Sequence, residues 1–152
     1  MTDTRPILVI EDSEEDFAAL SWVWRRTAID VPLVRCHDGE DALEWLSGTG
    51  RYLGRKDTGN PAVILLDLSL PRTKGVTLLS VIKTSPLLQK TPVLILTTSA
   101  NPADIEASYR NGANAYLTKP FALEDLELNV RKLISFWMEV VSLPHGDSHA
   151  GR

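Results

Sequence analysis

The chain has 152 residues, 43% of them apolar, with 16 Lys+Arg against 20 Asp+Glu and a net charge of −4. That length suits one domain of about 100–200 residues, and the mild acidity argues against a general nucleic-acid or polybasic membrane surface. A lone cysteine, Cys36, excludes an internal disulfide framework, while the opening apolar run stops at Glu11 and no run approaches the roughly 18 residues that span a bilayer. A cytoplasmic domain with neither a membrane nor a nucleic-acid partner is expected.

The first apolar run, 6–10 (PILVI), is continuous rather than alternating, as in a strand covered on both faces. Ser13, followed by Asp16, predicts a helix cap with an acid in the first turn. That helix extends to about residue 28, with Phe17, Leu20, Trp24 and Ala28 facing inward and Trp22 left partly exposed. A weaker strand, 32–36 (PLVRC), leads through His37 and Asp38, a strand end and a helix cap, into a helix over 38–46. Its Ala42, Leu43 and Leu46 recur at helical spacing, with Trp45 beside them. The next segment, 47–60, is long for a helix-to-strand connection; it is predicted to be an insertion on the edge opposite the chemistry. Two further continuous runs come next, 62–66 (AVILL) and 92–96 (PVLIL), separated by a helix over 75–84. Asn101-Pro102 opens another helix that stops at Asn111-Gly112. A short strand, 115–118, precedes a last helix over about 123–142. Five alternations of strand and helix predict an α/β domain with a doubly wound parallel sheet.

The chemistry lies at the carboxyl end of each run: Glu11-Asp12, then Asp67, then Thr97-Thr98, then Thr118-Lys119-Pro120. The carboxyl edge of an open parallel sheet is where ligands bind, so these groups converge on one pocket. Like charges of Glu11, Asp12 and Asp67 about 5 Å apart cost about 3 kcal/mol per pair at an effective dielectric of about 20. A cation relieves that crowding, and an all-oxygen ligand set with room for a phosphate oxygen suits Mg²⁺. Lys119 beside such an ion would neutralise an incoming phosphoryl group. Asp67, alone on the central strand, is the candidate nucleophile for an aspartyl phosphate.

In these residues and their spacing, with Asp67 in LLDLSLP, Thr97 thirty residues on and Lys119-Pro120 twenty-two beyond, the chain resembles the receiver domain of two-component response regulators. The resemblance covers 7 to about 142 and implies a flavodoxin-like sheet in the order 2-1-3-4-5 with five helices. It implies Asp67 as phosphoacceptor, Asp12 as a direct Mg²⁺ ligand, Glu11 as a water-mediated one, and Ser69 as a ligand through its backbone carbonyl. It also implies that Lys119 pairs with the phosphoryl group, that Pro120 follows a cis bond, and that Thr97 and Tyr116 form a switch pair. Pro71 and Gly75 match the turn after the acceptor strand. The long second loop, SFW at 135–137 and SLP at 142–144 resemble the response regulators that accompany bacterial phytochromes. That resemblance implies a phytochrome-type sensor histidine kinase as partner.

The expected architecture is therefore a receiver over 1–143, with the 47–60 insertion, and a disordered tail over 144–152. No output domain is expected after Ser142, so signalling is expected through contact with an unidentified downstream protein, through a phosphorelay, or as a phosphate sink. A module whose pocket is never phosphorylated is the alternative of another class. A dehalogenase-type phosphohydrolase would need a second Asp where Ser69 stands, and it would need acidic metal ligands late in the chain. The resemblance further implies that the positions two after the acceptor and two after the switch Thr influence attack by water; here they are Ser69 and Ser99, neither long enough to orient a water well, which predicts a slowly lost phosphate. The last helix, about 30 Å long if it has about 20 residues, would outrun a strand of about 17–20 Å. Phe136, Trp137, Val140 and Val141 would then overhang the sheet as a homodimer interface. Cys36 is expected in the core, and His145 and His149 fall in the tail.

Overall fold

The computed structural model describes residues 5–27, 30–55 and 60–144. In chain order its elements are β1 (Ile7–Ile10), α1 (Glu14–Arg25), β2 (Leu33–Cys36), α2 (Gly39–Ser47), β3 (Val63–Leu66), α3 (Gly75–Thr84), β4 (Val93–Thr97), α4 (Pro102–Arg110), β5 (Ala115–Thr118) and α5 (Leu123–Ile134). A 3₁₀ turn over Gly50–Tyr52 follows α2, and a π-helical turn over Ser135–Val140 continues α5. The strands form one parallel sheet in the order β2-β1-β3-β4-β5. This is the predicted doubly wound, flavodoxin-like arrangement.

The continuous apolar runs became the three central strands because only there are both faces covered. Ile7, Val9, Val63, Leu65, Leu94 and Leu96 pack with Leu20, Val23, Trp24, Val130, Leu133 and Ile134 of α1 and α5. Leu8, Ile10, Ile64, Leu66, Val93 and Ile95 pack on the other side with Ala42, Trp45, Leu46, Leu78, Leu79 and Ile82 of α2 and α3. Strand side chains alternate between faces, so each run feeds both layers. The edge strands β2 and β5 are only partly covered.

The caps are those the sequence predicts. Ser13 Oγ accepts from the Asp16 N–H at 3.2 Å, Asp38 Oδ1 from the Asp41 N–H at 2.8 Å, and Asn101 Oδ1 from the Ala103 N–H at 3.0 Å. Trp24 donates its indole N–H to the Val31 carbonyl at 2.8 Å, tying α1 to the approach to β2. Ala28, assigned to the α1 stripe, lies outside the described residues, as do His145, His149 and the rest of the tail beyond Pro144.

Two expectations need correction here. The last helix does not run to Ser142. Its final six described residues form the π turn, where the Val141 N–H reaches back five residues to the Phe136 carbonyl at 2.9 Å, and Val141 itself is extended. A turn closed by i→i+5 bonds is wider than an α turn, and the apolar side chains around it divide. Trp137, Met138 and Leu143 pack on the α1/α5 core, whereas Phe136 and Val140 stay exposed. Trp137 is therefore not part of a free overhang. The described part of the insertion does not keep to the opposite edge either. It folds back along α2, where the Tyr52 hydroxyl donates to Asp41 Oδ1 at 2.5 Å, the Arg51 guanidinium donates to Glu44 at 2.7 Å, and Arg55 stacks 4.0 Å over the Trp45 ring. Buried Asp41 needs partners, and Tyr52 is one of them.

Gly75 opens α3 directly beneath the loop after β3. Its N–H donates to the Leu68 carbonyl at 3.1 Å, and a Cβ there would lie 2.5 Å from Leu68 Cα and 2.6 Å from the Asp67 carbonyl oxygen. Backbone cannot yield as a flexible side chain can. Gly75→Ala is expected to lower stability by about 2 kcal/mol through overpacking, and so to reduce Tm by roughly 5 °C in thermal unfolding. An unchanged Tm would show that the loop has slack.

Candidate functional site

Parallel pairing delivers the polar groups to one edge. Ile10 and Leu66 are register partners, so Glu11 and Asp67 leave adjacent strands side by side, and the Asp67 N–H donates to the Ile10 carbonyl at 3.1 Å. Two strands away, Thr97 pairs with Thr118, and the Lys119 N–H donates to the Thr97 carbonyl at 2.7 Å. From there the Lys119 side chain crosses the end of β4. Its ammonium meets Glu11 Oε1 at 2.5 Å, Asp16 Oδ2 at 2.8 Å and Asp67 Oδ2 at 2.8 Å. An ammonium has three N–H donors, and each finds a carboxylate. The other Asp67 oxygen, Oδ1, accepts from the Ser69 N–H at 3.0 Å.

Burial sets the electrostatics. Side chains of Glu11 and Asp67 are nearly covered, Lys119 is 11% exposed, and Asp16 stands at the rim at 40%. Desolvation drives the Glu11 carboxyl up to about 7, assisted by the neighbouring Asp67 charge and opposed by Lys119. Desolvation also works to raise Asp67, but the Lys119 ammonium and the Ser69 N–H outweigh it and hold this carboxyl below its ordinary value. Burial alone would lower Lys119; its bonds to Asp16, Asp67 and Glu11 reverse that and keep it charged. The pocket thus sets two buried carboxylates apart, Asp67 held towards its ionised form and Glu11 pushed towards protonation.

Carboxylate oxygens of Glu11, Asp16 and Asp67 lie within 4.8 Å of one another, a spacing a divalent cation could bridge. A cavity of about 460 Å³ opens on the same groups. Its polar wall is Glu11, Asp16, Asp67, Thr98, Thr118 and Lys119, and its apolar wall includes Val9, Leu20, Leu65, Leu96 and Leu126.

Residues 7–131 match the family model of the response regulator receiver domain. The chain belongs to that family. It is similar to the response regulator Rcp1 of Synechocystis, at 41% identity over 91% of this chain and 92% of Rcp1. The Mn²⁺-bound crystal structure of Rcp1 superposes with a TM-score of 0.82, covering 92% of this chain and 99% of that one. The phosphorylated cyanobacterial phytochrome response regulator RcpA is 32% identical, with a TM-score of 0.85 over 93% and 99% of the two chains. RPA3017, a response regulator in red light signalling of R. palustris, is 35% identical, with a TM-score of 0.86 over 92% and 98%.

In this receiver, Glu11, Asp67 and Lys119 come together as predicted. Asp12 is exposed and outside the group of three carboxylates, and its backbone carbonyl accepts from Arg35 at 3.3 Å. The third carboxylate is Asp16, which the sequence presents as an ordinary helix-opening acid. Ser69 is exposed, with its N–H on Asp67. Thr97 is fully buried, and its hydroxyl has no hydrogen-bond partner. Tyr116, register partner of Ile95, packs against the α2/α3 core and donates its hydroxyl to the Ser99 carbonyl at 2.8 Å. The cis bond expected before Pro120 is absent, since every described peptide is trans. Trans is the lower-energy form even for X–Pro, and with it Lys119 already reaches all three carboxylates. Cys36 is buried, and desolvation pushes its thiol up to about 12, so it behaves as a core residue. No described helix is long and apolar enough to cross a membrane.

The Glu11 shift has a measurable sign. Between pH 4.5 and about 7, the folded receiver without metal holds a proton on Glu11 that the unfolded chain has lost. Stability therefore falls as pH rises through that window. Urea unfolding in chelator should show this decline in the wild type and a flatter profile in Glu11→Gln. Parallel profiles for the two proteins would contradict it.

Proposed function

We propose that Asp67 is the phosphoacceptor of a two-component pathway and takes its phosphoryl group from a sensor histidine kinase. The observation that carries this reading is the Lys119 ammonium held 2.8 Å from a buried, ionised Asp67 at the carboxyl edge of the central strand. A carboxylate oxygen of Asp67 attacks phosphorus as the P–N bond of the kinase's protonated phosphohistidine breaks; the bonding pair goes to that nitrogen, and the ring leaves as neutral imidazole, keeping the proton already on its other nitrogen. Lys119 must exchange one carboxylate for a phosphoryl oxygen, because all three of its donors are already committed. Mg²⁺ is the proposed cofactor, which Asp67 would hold together with Asp12 directly, Glu11 through a water and the Ser69 backbone carbonyl, the set the family resemblance implies; bound, it would offset charge on the transferring oxygens.

Thr97 and Tyr116 form the proposed switch. The unsatisfied buried hydroxyl of Thr97 would gain a partner in a phosphoryl oxygen, and the Tyr116 ring is already turned inward on the same face. The Ser99 hydroxyl donates to Asp104 at 2.5 Å and accepts from the Asn101 N–H at 3.2 Å. So engaged with the start of α4, it is poorly placed to direct water at the phosphate, which supports a long-lived phosphoprotein.

We infer a phytochrome-type kinase as partner, supported by similarity to RcpA and RPA3017. Output would be by contact with a downstream protein in the cytoplasm. Phe136 and Val140, exposed at 52% and 68% beside half-buried Trp137 and Val141, would form the centre of a homodimer interface.

With Mg²⁺ and acetyl phosphate, the wild type should gain about 80 Da, lost in base and over many minutes at neutral pH, while Asp67→Asn should gain nothing. Loss of the adduct within seconds would overturn the slow-decay reading. A wild type that never gains it would overturn the phosphoacceptor reading. Sedimentation at tens of micromolar should give a dimer that Phe136→Glu converts to monomer; a wild-type monomer with and without phosphate would refute that interface.

A further inference from the structure

The family pattern leaves Asp16 unused, yet it supplies one of the three bonds to the Lys119 ammonium. Its position is specified by the start of α1. Ser13 is the N-cap, and Asp16 is the third helical residue, where an acid ordinarily folds back onto the cap N–H. Here that N–H is taken by Glu11 Oε2 at 3.1 Å instead. The Asp16 carboxylate is thereby released from capping and directed to Lys119 at 2.8 Å. It stands at the rim, 40% exposed, while the other two carboxylates lie on the floor.

We propose that Asp16 is a positioning residue that competes with the phosphoryl group for the Lys119 ammonium, and so sets how tightly this receiver holds phosphate. This rests on the phosphoacceptor reading of Asp67. When Asp67 is phosphorylated, charge moves outward onto oxygens near the rim, and Lys119 must give one of its donors to them. Asp16 opposes that exchange in two ways: it occupies a donor, and its own charge repels the arriving anion. The same charge favours a cation in the pocket. Asp16 therefore has opposite effects on the two ligands, strengthening the hold on a divalent cation and weakening the hold on a phosphoryl group.

This opposition separates the role from a structural one. Removing a side chain that merely supports α1 would weaken both ligands together. Beryllofluoride, a stable tetrahedral mimic of the phosphoryl group, can be titrated at saturating Mg²⁺ and followed by fluorine NMR. Mg²⁺ alone is titrated separately by calorimetry. Asp16→Asn and Asp16→Ala are expected to bind beryllofluoride about tenfold more tightly, the effect of removing one partly screened charge. Both should bind Mg²⁺ several-fold more weakly, and Asp16→Glu should restore wild-type behaviour towards both ligands. Beryllofluoride affinity that is unchanged or reduced in Asp16→Asn overturns the proposal. A wild type that binds no beryllofluoride while still binding Mg²⁺ overturns instead the phosphoacceptor reading beneath it, and circular dichroism of each variant separates either result from a failure to fold.

Discussion

One ammonium group organises the functional edge of this molecule. Lys119 satisfies three carboxylates from separate parts of the chain: Glu11 after β1, Asp16 in α1 and Asp67 after β3. Without a cation these acids would repel one another in a poorly solvated pocket. With Lys119 in place, Asp67 stays ionised while burial moves Glu11 towards protonation. The same saturation means that any anion arriving at Asp67 must displace a carboxylate from Lys119. The resting receiver is thus held by the contacts that its reaction has to rearrange.

The rest of the fold makes that arrangement possible. Continuous apolar strands allow helices on both faces, and parallel pairing puts every strand's carboxyl end on the same edge. Close approach of α3 to the acceptor loop depends on the missing side chain at Gly75. On the other flank, Arg72 adopts a left-handed backbone, φ 64°, and its guanidinium pairs with Asp38, the cap of α2. The loop after β3 is therefore braced from both neighbouring helices, which limits how far Asp67 and Ser69 can drift.

Away from the site, two described segments differ from the arrangement the sequence predicts. The described part of the insertion folds back onto α2, where Tyr52 donates to buried Asp41. The end of α5 widens into a π turn that covers Trp137 with the core and leaves Phe136 exposed, the two rings meeting edge to face at 5.7 Å.

Much of this was legible in the residue order. Three unbroken apolar runs and the short strand 115–118, each followed by polar groups, determine the sheet type, the edge that carries chemistry, and the identity of Glu11, Asp67, Thr97 and Lys119 as its occupants. These are local properties, since period, cap and strand end are read within a few residues. Tertiary structure alone decided what depends on distances between elements. Asp16 reads as a helix-opening acid until the cap geometry turns it towards a lysine 103 positions away. Asp12 reads as part of an acidic pair until folding leaves it exposed while Glu11 is buried. The last helix reads as a straight extension until packing of Trp137 and Met138 on the core separates them from the exposed Phe136 and Val140. Sequence periodicity specifies which face of an element is apolar, but not which charged groups from distant elements will share one pocket. In this protein that sharing makes the site.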